Sequence, residues 1–149
     1  MQYSPTAFKR LINCYPPYLG AGIKVTFISE DWCELHVSMA LRWYNRNAVG
    51  THFGGNLYSM VDPHLMLLLM KLLGKGYWVW DKSAHIEFVK ATQKRVTAII
   101  KIAPQHLEHI KRRTANGDKC LIEFPIEIKD EDNDLIAIVK KTLYLRRKR

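Results

Sequence analysis

The sequence predicts an α+β domain in which a curled antiparallel sheet of about six strands wraps around a long apolar central helix. Three observations predict it. The run from about Asn56 to Leu73 is hydrophobic nearly all round, and a helix without a polar face belongs in a core. Six other runs carry the β-branched, alternating pattern of strands with one buried face. A chain of 149 residues, 48% hydrophobic and 25% charged, fits one globular domain over 1–149. It contains no internal repeat and no low-complexity linker.

Ser4 and Pro5 open the first element as N-cap and first helical residue, and Phe8, Leu11 and Ile12 line one face. Pro16-Pro17 ends it. Ile23–Ile28 and Cys33–Met39 alternate apolar and polar residues, with a hairpin turn at Ser29-Glu30-Asp31. His36 falls on the polar side of its strand. A polar, aromatic loop over 42–55 leads into the central helix, which stops at Gly74 and Gly76. Pro63 removes the amide that would bond the Ser59 carbonyl, so a kink costing about 3 kcal/mol if uncompensated is expected just beyond Asp62. Trp78–Val89 and Arg95–Ala103 read as strands, with the Trp78/Trp80 pair expected to pack. Pro104 opens a short helix to Thr114. Two closing strands, Lys119–Lys129 and Leu135–Leu145, flank the turn Asp130–Asn133. Leu121, Phe124, Ile126 and Ile128 share a face only if the strand bends near Pro125, which predicts an irregularity there.

Composition excludes several classes of function. Cys14, Cys33 and Cys120 form no Cys-x-x-Cys pair and no cluster with zinc spacing. Reduced cysteines and an N-terminus without an apolar core predict a cytoplasmic protein. Leu57–Leu73 holds Asp62, Pro63, His64 and Lys71 and is short for a bilayer of about 30 Å, so no membrane span is expected. The net charge of +9 sits largely in Lys111–Arg113 and Arg146–Arg149. No recognition motif accompanies these runs, so they read as solvated and nucleic acid is not an expected partner. A positive surface also suits an anionic, phosphate-bearing substrate.

The chemistry concentrates between Asn47 and Asp62. Gly54 and Gly55 let a ligand or chain approach the backbone, and the Gly55 and Asn56 amides, at a helix start, could hold a developing oxyanion. Asp62 lies about two turns into an apolar helix, where a lone carboxylate is expensive unless it is paired or faces a cavity. Desolvation should raise its pKa, which suits a general base acting on water. In the competing account, the glycines merely allow tight packing and Asp62 caps a neighbouring backbone. The local pattern leaves the two level.

The spacing of Asn47, Gly50, Gly54, Gly55 and Asp62 resembles that of hotdog-fold acyl-CoA thioesterases of the phenylacetate-pathway type. Trp80–Ala91 is similar to the third strand of that fold. With an inserted helix near Leu107, the chain resembles most an uncharacterised thioesterase-like subfamily, over nearly its whole length. The resemblance implies Asp62 as base or nucleophile, the Gly55 amide as oxyanion donor and Asn47 orienting water or thioester. It implies a homodimer with the site at its interface, possibly paired into a homotetramer, and no metal or redox cofactor; coenzyme A would enter only as part of the substrate. The family has His directly before the paired glycines. Here Phe53 stands there, and His52 lies one position earlier.

Further expected substrate contacts are Gly54, Asn56 and Phe53, a polar wall of Asp81 and Ser83, and Lys90, Lys94 or Arg95 toward coenzyme A phosphates. His64 points to another face than Asp62 and reads as a core histidine. The leading expectation is hydrolysis of an acyl-CoA or acyl-carrier thioester. The alternatives are a non-catalytic acyl-thioester binding module and a hydroxyacyl-thioester dehydratase using His52.

Overall fold

The computed structural model describes residues 2–149. Ser4 caps α1 (Pro5–Asn13), its hydroxyl accepting from the Ala7 amide, and Phe8 and Ile12 are buried. Pro16-Pro17 stops α1 as expected but also starts a second helix the sequence reading lacked, α2 (Pro16–Ala21), which ends at Gly22 with φ +73°. A proline that cannot continue one helix is well placed at the first turn of the next.

The strands are β1 (Ile23–Ile28), β2 (Glu34–Met39), β3 (Tyr77–Phe88), β4 (Val96–Lys101), β5 (Lys119–Asp130) and β6 (Leu135–Arg147). They form one antiparallel sheet in the order β1-β2-β4-β5-β6-β3. At one edge, the Asn13 side chain pairs with β1 as a short strand would, accepting from the Val25 amide (2.8 Å) and donating to the Val25 carbonyl (2.9 Å). At the other edge lies β3, twelve residues long and mostly exposed. A final helix, α5 (Pro104–Thr114), buries Ile110 and Thr114.

The expected single central helix is two helices, α3 (Gly54–Ser59) and α4 (His64–Leu73), separated by a turn over 60–63. Pro63 is the cause: it offers no amide to the Ser59 carbonyl. The Tyr18 hydroxyl from α2 donates to that carbonyl instead, at 3.2 Å. Nor is this helical stretch buried all round. Leu57, Met60, Val61, His64, Leu65, Leu68 and Leu69 face the sheet, while Met66 and Leu67 are half-buried and Met70 is exposed.

The irregularity expected at Pro125 is absent. β5 pairs with β6 without interruption through Pro125↔Lys140, and the register shifts only between Ile128 and Lys129. The inward set is Cys120, Phe124, Ile126 and Ile128, and Leu121 faces outward. β5 pairs with β4 only at Ile128–Asp130, so no β4 carbonyl waits for the missing amide of Pro125.

Candidate functional site

The break between α3 and α4 puts Asp62 over β6. Along β6 the inward positions are Val139, Lys141, Leu143 and Leu145, all fully buried. A lysine in that register is costly unless its charge is met. It is met by three acceptors. Lys141 Nζ lies 2.5 Å from Asp62 Oδ1 and 3.2 Å from Asp81 Oδ2, and it also donates to the Asp62 backbone carbonyl. The Tyr58 hydroxyl, one turn before Asp62, donates to the same Oδ1 at 2.7 Å. Asp81 reaches inward at a bulge of β3 between Asp81 and Ser83. The Lys141 side chain has no exposure, whereas Asp62 keeps 45% and Asp81 32%. The cation is sealed in and the carboxylates open outward.

This arrangement reverses the expected titration of Asp62. Burial does push its pKa up, but the hydrogen bonds from Lys141 and Tyr58 and the lysine charge outweigh it, and the pKa lies below the ordinary value. Burial opposes the charge on Lys141, yet Asp62 and Asp81 raise its pKa and keep it cationic. Asp81 shifts the other way from Asp62: burial and the Asp62 charge raise it despite Lys141. Asp62 is therefore the group held ionised, and it is no lone carboxylate.

On the other side of the break lies His64, completely buried. Its Nε2 is 2.8 Å from the Tyr18 hydroxyl, and Nδ1 has no hydrogen-bond partner among the described residues. Burial drives its pKa down to about 4, against the pull of the Met60 carbonyl, so the ring is neutral at pH 7.

The loop before α3 is organised by Asn47. Its side-chain oxygen accepts from the Val49 and Thr51 amides, and its amide donates to the Thr51 hydroxyl and the His52 carbonyl. All of its polar capacity shown here shapes the loop itself. His52 is buried with Nε2 on the Lys94 carbonyl at 2.8 Å, and burial lowers its pKa. Phe53 and Phe88 are both exposed, and they explain the paired glycines. A Cβ on Gly54 would meet the Phe88 ring at 2.9 Å, and one on Gly55 the Phe53 ring at 2.7 Å. The Asn56 amide donates to the Phe53 carbonyl at 3.0 Å, whereas neither the Gly54 nor the Gly55 amide has a backbone acceptor among the described residues. A cavity of about 260 Å³ opens here among Asn47, Thr51, Gly54, Leu57 and Phe88.

The structure thus brings Asp81 to Asp62, while Ser83 is exposed beyond the bulge. Lys90, Lys94 and Arg95 each pair with a carboxylate of the β5–β6 turn, Asp134, Asp132 and Glu131 respectively. Asp130, Asp132 and Asp134 approach one another in that turn, where Asp130 accepts from the Asp132 and Asp134 amides and the Thr92 hydroxyl. Trp78 and Trp80 do not pack inward: they are 45% and 56% exposed on the outer face of the sheet. Sequence reasoning missed Lys141 and Tyr58. The signal for Lys141 was its place in a period-two apolar run, and for Tyr58 its position one turn before Asp62.

No helix among the described residues is long and apolar enough to cross a membrane. No characterised protein sequence is significantly similar to the chain. Solved structures share its fold at low identity. A Pseudomonas aeruginosa protein of unknown function, described as a probable thioesterase, aligns with a TM-score of 0.84 at 13% identity over 96% of each chain. A Chlorobaculum tepidum protein of unknown function gives 0.75 at 15% identity over 98% of each. A Haemophilus influenzae thioesterase gives 0.70 at 15% identity, covering 99% of this chain and 93% of its own. With its six-stranded antiparallel sheet the chain has the hotdog fold of these structures, and over residues 5–145 the sequence matches, and the chain belongs to, the family described as domain of unknown function DUF4442.

Proposed function

We propose that this protein hydrolyses an acyl thioester, with coenzyme A or an acyl carrier as the leaving thiol. The observation that carries the reading is Asp62: a half-exposed carboxylate at a helix break, held ionised by a lysine with no exposure of its own. In the reaction, Asp62 takes a proton from water as the water oxygen bonds to the thioester carbon. The resulting oxyanion is held by the Gly55 amide. As the C–S bond breaks, the proton passes to the leaving thiolate.

Gly55 lies in the first turn of α3 and Asp62 beyond its end, in the turn before α4. In this reading the base and the oxyanion donor face each other from two copies of the chain, as the family resemblance implies. The β3 edge supports such a homodimer: an exposed twelve-residue edge strand without proline is a template for pairing with its equal. Unpaired cysteines fit action in the cytoplasm.

One observation favours a non-catalytic acyl-thioester binding module instead: the bonds from Lys141 and Tyr58 that ionise Asp62 also weaken it as a base. A dehydratase gains no support, since His52 has its Nε2 on a backbone carbonyl.

Thiol release from short, medium, long and aromatic acyl-CoAs, wild type beside Asp62→Asn, tests the proposal. Release by wild type, reduced at least about a hundredfold in the variant, is expected. Binding of acyl-CoA with no release from any substrate would leave the binding module. Sedimentation of the same samples tests the dimer.

A further inference from the structure

Two basic runs far apart in the sequence meet at one end of the sheet. α5 closes on Lys111, Arg112 and Arg113, the chain turns at Gly117, and Arg146 of β6 donates from Nε to the Gly117 carbonyl at 2.7 Å. With Lys119 and Arg147–Arg149 this end carries most of the net charge of +9, and Asp118 is the one acidic residue in either run or the turn between them. Among the described residues, none of these cations forms an ion pair. The charge faces outward, uncompensated.

Beside it, on the outer face of the sheet, the rings of Trp78, Trp80 and Tyr144 form a row. Trp78 and Trp80 lie 5.5 Å apart, and Trp80 stacks on Tyr144 at 5.8 Å with 21° between planes. Lys148 Nζ sits 4.3 Å over the Trp78 ring. The rings and the Arg146–Arg149 run together line a cleft of about 410 Å³, within the size range of small-ligand sites. Tyr144 and Lys141, three residues apart on β6, face opposite sides of the sheet. A thioester at Asp62 therefore does not fill this cleft.

Charge and shape select the occupant. A second copy docking here would bring like charges together. A lipid surface calls for apolar rings projecting outward, yet two of these rings stack on each other and the third is covered by a cation. Phosphates with flat bases suit the cleft, because aromatic rows beside a basic groove bind unpaired bases by stacking and phosphates by charge. We propose that this cleft binds single-stranded nucleic acid, with bases against Trp78, Trp80 and Tyr144 and phosphates against Arg146, Arg147 and Arg149. The proposal is independent of thioester hydrolysis.

The test is fluorescence anisotropy of a labelled oligouridylate with the full chain, at low and moderate salt, read together with tryptophan quenching. Binding that quenches tryptophan and weakens with a log–log salt slope of roughly 0.7 per phosphate contacted is expected. Trp78→Ala/Trp80→Ala should weaken it roughly tenfold or more, and Arg146→Gln/Arg147→Gln should lower both affinity and salt slope. The circular dichroism of each variant is checked against wild type. Unchanged affinity in the folded tryptophan variant reduces the interaction to bare charge attraction and overturns the proposal. So does equal affinity for a free nucleoside diphosphate, preferential attachment to vesicles of anionic lipid, or no binding at low salt.

Discussion

The break in the central helix has two sides, and each buries a titratable side chain in opposite fashion. On one side Lys141 is sealed completely and kept charged, because two carboxylates and a backbone carbonyl converge on its ammonium group. On the other side His64 is sealed as completely and kept neutral, because it meets only a hydroxyl and a carbonyl. Burial is the same in both places, and the partners decide the charge. Asp62 and His64 are two residues apart, so the chain separates an ionic layer from a neutral one by turning once at Pro63.

The largest effect should come from removing the cation. Lys141→Met leaves Asp62 and Asp81 facing each other unpaired, and a broken buried pair typically costs 3–5 kcal/mol. Asp62 keeps 45% and Asp81 32% of their exposure, so a loss at the low end, about 3 kcal/mol, is expected from urea unfolding at neutral pH. Adding Asp62→Asn and Asp81→Asn should restore much of the loss. A loss below 1 kcal/mol in the single variant would mean that the ion pair does not hold the break together.

Acid should strike the neutral side next. The folded pKa of His64, about 4, lies below the ordinary 6.5, so between these values the unfolded chain takes up a proton that the folded chain refuses. Stability is then complete above about pH 6.5 and falls on acidification through this window, by on the order of 3 kcal/mol. His64→Leu should flatten that part of the pH–stability profile. If the slope is identical in the variant, His64 is not the group responsible.

The smallest effect belongs to the bridge between the layers. Tyr18→Phe removes the donor to the Ser59 carbonyl and the partner of His64 Nε2, an expected loss of about 1–2 kcal/mol readable in thermal unfolding.

Much of the architecture was legible because period two and the all-apolar run are local signals. All six strands lie within two residues of their expected places, the largest offsets being the ends of β4 and β6. The helix break was half legible: Pro63 announced a kink, but its repair by Tyr18 joins residues 41 apart. The expected bend at Pro125 failed because Leu121 was assigned to the buried face, when Cys120 fills that register. The candidate site was legible only on the helix side. Asp62 meets Lys141 across 79 residues, and nothing in the local pattern around either residue says which strand lies beneath which turn. The direction of the Asp62 titration was misjudged for that reason alone.

The two borders of the sheet bear on how the molecule can grow. One border is partly blocked by Asn13, whose side chain occupies the backbone groups of Val25; the other, along β3, is bare. A ribbon with two bare borders adds copies without end, as fibrils do. A ribbon with one bare border finds a single neighbour and is then complete. If copies join along β3 as proposed, growth stops at two chains provided the β1 border stays unpaired, and Asn13 at the end of α1 guards that border at Val25.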